Sequence, residues 1–179
     1  MWLAIYTAVV ELRSEHASDR PAILEMTRRA FASEDGPNPP IEVGLLAELF
    51  ECDGYLPRLS IVAADAGTVV GHSITTRGFI GDQPALGLGP ISVLPERQRQ
   101  GIGAALLEET RIRAAGMGES VIVLLGHTTY YPRFGYRRAS ELGIQAPDPQ
   151  WGDYFMALRL GGQEVPVGTF RYAEPFARL

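Results

Sequence analysis

The fold of this chain is decided by the stretch Val93-Leu94-Pro95-Glu96-Arg97-Gln98-Arg99-Gln100-Gly101-Ile102-Gly103. Residues Leu86 to Leu94 predict a strand that Pro95 closes, and residues Gly101 to Ala115 predict a helix. The first turn of a helix leaves backbone N–H groups unpaired at the positive end of the helix dipole. Glycine there lets the oxygens of an anion approach the backbone, so the stretch predicts a pyrophosphate-binding loop.

Two well-known phosphate-binding motifs do not fit this stretch. The Walker A motif requires Gly-Lys-Ser or Gly-Lys-Thr, and the stretch contains no lysine. The Rossmann fingerprint requires a third glycine three residues after Gly103, where Leu106 stands. What remains is Gln98-x-x-Gly101-x-Gly103 directly after a strand and Pro95, and this closely resembles the acyl-CoA-binding motif of the GNAT superfamily of N-acetyltransferases. The alternative is that the two glycines only shape a strand–helix turn.

A second motif follows downstream, Tyr130-Tyr131-Pro132-Arg133-Phe134-Gly135-Tyr136. It resembles the Tyr-Tyr-x-x-Phe-Gly-Phe signature of the same superfamily, with Tyr136 as the final aromatic residue. The alternative is an aromatic core cluster, which explains Phe134 and leaves Tyr130 open. The resemblance implies that Tyr131 is catalytic, as the general acid that protonates the departing CoA thiolate. A phenol with a pKa of about 10 is protonated at neutral pH, as this role requires.

Three further segments extend the resemblance over most of the chain. They are Leu88-Gly89-Pro90-Ile91-Ser92-Val93, Val123-Leu124-Leu125-Gly126-His127 and Gly168-Thr169-Phe170-Arg171-Tyr172. These segments are similar to a bacterial group of predicted, mostly uncharacterised N-acetyltransferases. Many members of that group carry aspartate where His127 stands, so the resemblance assigns His127 no role. We interpret His127 and His72 as loop or core residues.

The resemblance implies one α/β (α+β) domain over residues 1–179, with a mixed, mostly antiparallel sheet, a splayed central strand pair and flanking helices. The residue pattern predicts the same class, because two helices and a meander of strands precede a strand–helix–strand unit. The predicted helices cover 21–32, 41–51 and 101–115, with a short helical turn at 128–133. The predicted strands cover 9–13, 59–64, 69–76, 86–94, 120–125, 155–160 and 169–172, with another near Tyr136. The predicted buried face of the third helix comprises Ile102, Ala105, Leu106 and Ile112.

The resemblance also implies the reaction and its co-substrate, acetyl-CoA. In this superfamily the acetyl group generally passes directly from acetyl-CoA to an amine, and pantetheine enters the gap between the splayed strands. Carried onto this chain, backbone groups of Ile91, Ser92 and Val93 would bind pantetheine. The backbone amides that would hold the pyrophosphate belong to Gln98, Arg99, Gln100, Gly101, Ile102, Gly103 and Ala104. A backbone N–H of the same strand would stabilise the tetrahedral oxyanion.

The group that accepts the proton of the attacking amine is left open. A primary amine with a pKa of about 10 is mostly cationic at neutral pH. No carboxylate lies between Leu86 and Leu94, where several relatives carry one. Glu34 and Asp35 are candidates for the acceptor side, and solvated surface is the alternative explanation of both.

Two hypotheses about function follow from these observations. The leading one is an acetyl-CoA-dependent N-acetyltransferase that acts on a primary amine of a small molecule or peptide. The rival is a GNAT-like module that binds acyl-CoA without turnover, as a sensor or a structural subunit. The sequence leaves open which amine is the acceptor. It also leaves open the oligomeric state, for which a homodimer is one alternative.

Composition limits the remaining possibilities. The single cysteine, Cys52, excludes an internal disulfide framework and a cysteine-rich zinc module, and no metal is expected. The net charge of −5 argues against a general nucleic-acid binder. Met1–Tyr6 is apolar, but no basic residue precedes it, so it makes a poor signal peptide. No apolar run in the sequence approaches the roughly 20 residues that are needed to cross a bilayer. We expect a cytoplasmic protein that binds neither nucleic acid nor membrane.

Overall fold

A computed structural model describes residues 10–178 of the chain. Its helices are α1 (Arg20–Ala30), α2 (Ile41–Leu49) and α3 (Ile102–Gly116). Its strands are β1 (Glu11–Ser14), β2 (Ser60–Asp65), β3 (Thr68–Ile80), β4 (Gln83–Val93), β5 (Val121–Leu125), β6 (Arg137–Arg138), β7 (Ile144–Gln145), β8 (Phe155–Arg159) and β9 (Gly168–Arg171). Within this range no helix has the length and apolar character that a membrane crossing needs. The segment judged a poor signal peptide, Met1–Tyr6, and the predicted strand start at Val9 lie outside the described residues.

The strands form a mixed sheet in the order β1-β2-β3-β4-β5-β8-β6, and β9 pairs with both β3 and β7. Neighbours along this order are antiparallel except β4 and β5. Those two strands are parallel because α3 connects them as a crossover. The predicted mixed, mostly antiparallel sheet with flanking helices is confirmed.

Side-chain alternation along the strands gives the sheet two apolar faces. Ile61 and Ala63 of β2 pack with the buried residues of α3, whereas Val62 between them packs with those of α1 and α2. The same division continues across β5, where Ile122 contacts the α3 side and Val123 the opposite side. Both faces of the central strands are therefore covered.

The buried stripe of α3 differs from the predicted one. Ile102 and Leu106 are buried as predicted, but Ile112 is 50% exposed. At about 100° per residue, the side chains of Leu106 and Ile112 point about 120° apart. The buried positions that complete the stripe are Leu107, Thr110 and Ala114.

The strands β3 and β4 are longer than predicted and form one hairpin. The predicted strands leave residues 77–85 unassigned, whereas β3 runs to Ile80 and β4 starts at Gln83. Arg77 and Gly78 interrupt the apolar pattern there, and distant contacts explain both. Arg77 Nη2 lies 2.6 Å from Glu119 Oε1, and Gly78 lies against β9. Local patterning could not predict these residues as strand because their partners are far along the chain.

We predict that Gly78→Ala lowers the free energy of unfolding by about 1–3 kcal/mol, the usual cost of overpacking. A Cβ at Gly78 would lie 2.4 Å from Phe170 Cζ and 2.8 Å from the Arg171 carbonyl oxygen, so β9 would have to move. Gly44→Ala is the control, because a Cβ at this position in α2 meets nothing within 4 Å. The control should stabilise the protein by about 0.5–1 kcal/mol. Urea denaturation measures both changes, and a Gly78→Ala variant as stable as the wild type would contradict the described packing of β9.

Candidate active site

A cleft of about 810 Å³ opens where β4 and β5 separate. Within the described residues these strands pair only at Leu86↔Ile122 and Gly87↔Val123, although β4 continues to Val93. Beyond Gly87 the edge of β4 therefore lacks a neighbouring strand, which is the splayed strand pair that the resemblance implied. The cleft residues from these elements are Leu88, Gly89, Pro90 and Ile91 of β4, Leu124, Leu125, Gly126 and His127 at the end of β5, and Tyr131 beyond it.

A β-bulge bends β4 at the point where it leaves β5. The β3–β4 register shifts between Ser73, which pairs with Ile91, and Thr75, which pairs with Leu88. The extra residue of β4 falls in the intervening Gly89-Pro90 pair. Bulges bend a strand and increase its twist, and Pro90 has no N–H to donate to a neighbouring strand. The bulge therefore marks the end of pairing with β5.

Along β4, alternate residues direct their N–H and C=O groups either to β3 or to the open edge on the other side. Leu94 N–H donates to Val70 O of β3 at 3.0 Å, so the peptide groups of Leu94 face β3. Peptide groups alternate in direction along an antiparallel pair, so those of Ser92 face β3 as well. Those of Ile91 and Val93 face the open edge.

Ser92 does not take the role that the resemblance implied. Its peptide groups belong to the ladder with His72 of β3, and its hydroxyl oxygen lies 3.1 Å from Thr27 Oγ1 of α1. Only every second residue of a strand directs its peptide groups to a given edge. The backbone donors and acceptors of this segment are therefore those of Ile91 and Val93.

The loop between β4 and α3 leaves backbone N–H groups available to an anion. Gly101 precedes α3 with a φ of +85°, a left-handed conformation that favours glycine. Gln98 Nε2 donates to Val93 O at 3.2 Å and ties the loop to the end of β4. Within the described residues no side chain caps the start of α3. The first-turn N–H groups therefore stay free at the positive end of the helix dipole.

The two arginines of this loop differ in their contacts. Arg97 Nη1 lies 2.8 Å from Asp65 Oδ2, and Arg97 Nε donates to Gln100 Oε1 at 3.1 Å. Arg99 is exposed, has a φ of +60° and forms no ion pair with any residue between 10 and 178. The guanidinium of Arg99 is thus the one of the two that an incoming phosphate can bind without breaking an ion pair.

The loop meets the aromatic motif at Gly103. A Cβ on Gly103 would lie 3.0 Å from the Tyr130 hydroxyl oxygen. Among the sequence-predicted site residues, Ile91 and Tyr131 line the cleft, whereas residues 98–104 lie outside its lining. The site is therefore extended, with an anion-binding loop at one end and the cleft at the other, and Tyr130 lies between them.

Tyr131 is held among aromatic rings at the wall of the cleft. Its ring centroid lies 5.1 Å from that of Tyr130 and 5.8 Å from that of Tyr136. Burial is the main cause that raises the pKa of Tyr131 to about 12, so its hydroxyl is protonated at neutral pH. Tyr130 and Phe134 pack partly buried against the core, as the aromatic-cluster interpretation expects.

Gly126 allows the ring of Tyr131 to take this position. A Cβ on Gly126 would lie 2.2 Å from Tyr131 Cε2 and 2.7 Å from Tyr131 Cδ2. Gly126 N–H donates to Tyr154 O at 2.9 Å, which holds the glycine backbone at the end of β5. Sequence reasoning missed this contact, because nothing in the Leu125-Gly126 pair indicates which later residue covers it.

The two carboxylates considered for the acceptor side lie outside the cleft. Glu34 and Asp35 are exposed between α1 and α2 and do not line it, which agrees with the alternative that they are solvated surface residues. The carboxylate among the described cleft residues is Glu42, partly buried in the first turn of α2. No spacing connects Glu42 with either motif, which is why sequence reasoning missed it.

The two candidate histidines have different surroundings. His127 is exposed, lines the cleft and accepts a hydrogen bond from Tyr130 N–H through its carbonyl oxygen at 3.1 Å. His72 is buried in β3 with Nε2 3.0 Å from Ser60 Oγ, and burial lowers its pKa to about 3. His127 is therefore a loop residue and His72 a core residue, as we interpreted them from the sequence. Between residues 10 and 178 no three His, Cys, Asp or Glu side chains are grouped to hold a metal ion.

Comparisons with known proteins agree with this architecture. Residues 57–138 match the acetyltransferase (GNAT) domain family. The chain is 37% identical over 167 residues to YjhQ, an uncharacterised N-acetyltransferase of Escherichia coli K12, with 88% of this chain and 89% of YjhQ covered. It is 32% identical to a GNAT family acetyltransferase from Brucella melitensis solved with acetyl-CoA, at a TM-score of 0.77 and with 94% and 99% of the two chains covered. It is 28% identical to YhbS from Escherichia coli solved with CoA, at a TM-score of 0.84 and with 94% and 92% covered.

We predict that Gly126→Ala displaces the ring of Tyr131 by about 1.5 Å, because the new Cβ would lie 2.2 Å from Tyr131 Cε2 and carbon atoms in contact pack at about 3.5–4.0 Å. The free energy of unfolding should fall by about 1–3 kcal/mol. Gly116→Ala at the end of α3 is the control, because a Cβ there meets nothing within 4 Å. A crystal structure of the variant measures the displacement, and urea denaturation measures the stability. A Tyr131 ring that stays in place would contradict the described contact.

Proposed function

This chain belongs to the GNAT family of acetyltransferases, and we propose that it transfers an acetyl group from acetyl-CoA directly to a primary amine of a small molecule or peptide. The observation that carries the proposal is the unpaired edge of β4 beside the cleft that Tyr131 lines. Two similar proteins, at 32% and 28% identity, were solved with acetyl-CoA and with CoA, which supports acetyl-CoA as the co-substrate. We assign this activity to one domain formed by residues 1–179.

The open edge of β4 suits the pantetheine arm of acetyl-CoA. Pantetheine carries two amide groups, and an extended chain with amides can pair with a strand edge as another strand would. Ile91 and Val93 supply the peptide groups that face this edge. Pairing there also satisfies backbone groups of β4 that would otherwise need water.

The pyrophosphate of acetyl-CoA would bind to the loop that precedes α3. The uncapped N–H groups at the start of α3 and the helix dipole favour an anion, and the guanidinium of Arg99 adds a positive charge. The N–H of Gln98 already donates to Pro95 O at 3.4 Å, so the proposed donors are those of residues 99–104. Gly101 and Gly103 keep side-chain carbons away from the approaching oxygens. The loop can therefore bind a pyrophosphate although it contains no lysine.

The transfer step forms one bond and breaks one bond. The neutral amine attacks the thioester carbonyl carbon, the new C–N bond forms, and the C–S bond breaks after the oxyanion has been stabilised by a backbone N–H of β4. The amine releases its proton to solvent. The hydroxyl of Tyr131 donates a proton to the CoA thiolate and regains one from solvent. Because burial raises the pKa of Tyr131 to about 12, the hydroxyl is protonated at neutral pH and can act as a donor.

The rival function is an acyl-CoA-binding module without turnover, and one observation favours it. β4 carries no carboxylate between Gln83 and Val93 that could take the proton of the amine. Release of free thiol from acetyl-CoA, measured across a panel of amines, separates the two functions. Amine-stimulated release supports the transferase, whereas CoA binding without release for any amine supports the module.

We predict that Gly103→Val weakens the binding of CoA at least tenfold, which is about 1.4 kcal/mol. The added side chain would occupy the space through which pyrophosphate oxygens reach the first turn of α3. Gly101 is less suitable, because its φ of +85° would strain a valine even without a ligand. Gly116→Val at the other end of α3 is the matched control and should keep its affinity. Isothermal titration calorimetry measures both, and unchanged affinity in a folded Gly103→Val variant would refute the pyrophosphate loop.

We predict that Tyr131→Phe lowers the rate constant of acetyl transfer by about 10²–10⁴-fold, the usual contribution of general acid catalysis. The affinity for acetyl-CoA should barely change, because the Tyr131 hydroxyl makes none of the proposed contacts with pantetheine or pyrophosphate. Tyr154→Phe is the matched control, since Tyr154 is 55% exposed and does not line the cleft. Single-turnover kinetics measures the rate constant, and thermal melting shows whether each variant is folded.

The raised pKa of Tyr131 predicts how the effect of Tyr131→Phe on the rate constant depends on pH. The hydroxyl is active while it is protonated, and a pKa of about 12 keeps it protonated well above the value of about 10 expected for an exposed phenol. The ratio of the wild-type to the Tyr131→Phe rate constant should therefore stay constant from pH 7 to about 10.5. A ratio that falls with a midpoint near 10 would contradict the raised pKa. A folded Tyr131→Phe variant with wild-type turnover would show that Tyr131 is not the general acid.

A further inference from the structure

The acceptor half of the cleft is an aromatic wall on the side of the sheet opposite α3. We use the name aromatic wall for Phe31, Trp151, Tyr172 and Phe176, all of which line the cleft. The ring of Tyr172 lies 4.5 Å from that of Phe176 and 6.2 Å from that of Trp151, measured between centroids. Contacts between the rings therefore hold much of the wall in position before any ligand binds.

Tyr172 places this wall directly at the point where β4 and β5 part. A Cβ on Gly87 would lie 2.8 Å from Tyr172 Cδ1, so the ring of Tyr172 covers the last β4 residue that pairs with β5. Tyr131 packs with the core on the α3 side, whereas Tyr172 packs with the core on the opposite side. The cleft thus passes through the opening of the sheet, with Tyr131 on one side and the aromatic wall on the other.

The charged and titratable groups in the cleft are few. Among the described lining residues they are Glu42, His127 and Arg171, together with Tyr131 and Tyr172. Glu42 takes part in no ion pair with residues 10–178 and lies beside the apolar side chain of Leu45 on α2. The guanidinium carbon of Arg171 lies 5.3 Å from the centroid of the Phe79 ring. The cleft therefore offers a cation one free carboxylate within largely apolar surroundings.

We propose that Glu42 binds the ammonium group of the acceptor, and that the acceptor carries an aromatic or bulky apolar group that packs on the aromatic wall. The bound ammonium loses one proton to solvent before the neutral amine attacks the thioester. This inference rests on the proposed function, since it names the class of amine that the transferase uses. A cation enters an apolar cleft at high cost unless an opposite charge is present, and Glu42 supplies that charge. A second cationic group on the acceptor would find no second carboxylate among the described lining residues. Arylalkylamines are therefore favoured over aliphatic diamines.

Glu42 has an alternative role that the test must separate from this one. It lies in the first turn of α2, where a carboxylate stabilises a helix through its dipole. A helix-stabilising role would affect thermal melting and would not distinguish a charged ligand from a neutral one. Recognition of the ligand charge is therefore the decisive measurement.

The first experiment compares amines under steady-state conditions. We expect kcat/KM for 2-phenylethylamine to exceed that for 1,4-diaminobutane at least tenfold. Glu42→Gln should raise the KM for 2-phenylethylamine at least tenfold and leave the KM for acetyl-CoA unchanged. Glu48→Gln is the matched control on the same helix, since Glu48 pairs with Arg178 at 2.6 Å outside the cleft and should leave both values unchanged.

The second experiment measures binding without turnover. In the presence of CoA, calorimetry should show that the wild type binds 2-phenylethylamine at least tenfold more tightly than neutral 2-phenylethanol. In the Glu42→Gln variant the two ligands should bind with equal affinity. The Glu42→Asp variant, which keeps a carboxylate, should retain part of the preference for 2-phenylethylamine. A difference that persists in Glu42→Gln, with only the melting temperature lowered, would assign Glu42 to helix stability and overturn the inference.

The two proposals fail in different ways. Thiol release that is equally fast with diamines and unaffected by Glu42→Gln overturns the role of Glu42 and leaves the transferase standing. Absence of thiol release with every amine overturns the proposed function, and tight binding of 2-phenylethylamine that depends on Glu42 would still support the cation site by calorimetry.

Discussion

The backbone hydrogen bonds that β4 cannot make with β5 are the constraint on which the site depends. β4 pairs with β3 along most of its length but with β5 only at Leu86 and Gly87 within the described residues. A buried polar group without a partner costs about 1–3 kcal/mol, so the free edge must face water or a ligand with amide groups. The bulge at Gly89-Pro90 bends β4 away and opens the cleft. The site is therefore a place where the sheet is left incomplete.

Binding of an anion does not require a basic protein. The chain has a net charge of −5, yet the start of α3 provides local positive potential from unpaired N–H groups and the helix dipole. This potential is strongest within the first turn and is little affected by charges far away. Arg97 pairs with Asp65, whereas the exposed Arg99 forms no ion pair within the described residues. Loop geometry, and not overall composition, therefore determines where the local potential favours an anion.

The side of the cleft opposite α3 depends on segments that lie far from both motifs. β9 pairs with β3, and two glycines without side chains, Gly78 and Gly87, let the rings of Phe170 and Tyr172 lie close to the sheet. This packing brings the C-terminal aromatic residues to the opening between β4 and β5. The two sides of the cleft are thus built independently, one by the α3 unit and the other by α2 and the C-terminal segment.

The sequence by itself predicted the fold class, the family, the loop before α3 and the tyrosine of the cleft. These features depend on local patterns: a strand, glycines and a helix within eleven residues, and seven residues around Tyr131. The three-dimensional packing was needed to show that Ser92 faces β3, that Gly126 lies under Tyr131, and that Glu42 lines the cleft whereas Glu34 and Asp35 do not. Strand phase depends on the partner strand, and each of these contacts joins residues that no short-range pattern connects. The path of the chain in three dimensions brings them together.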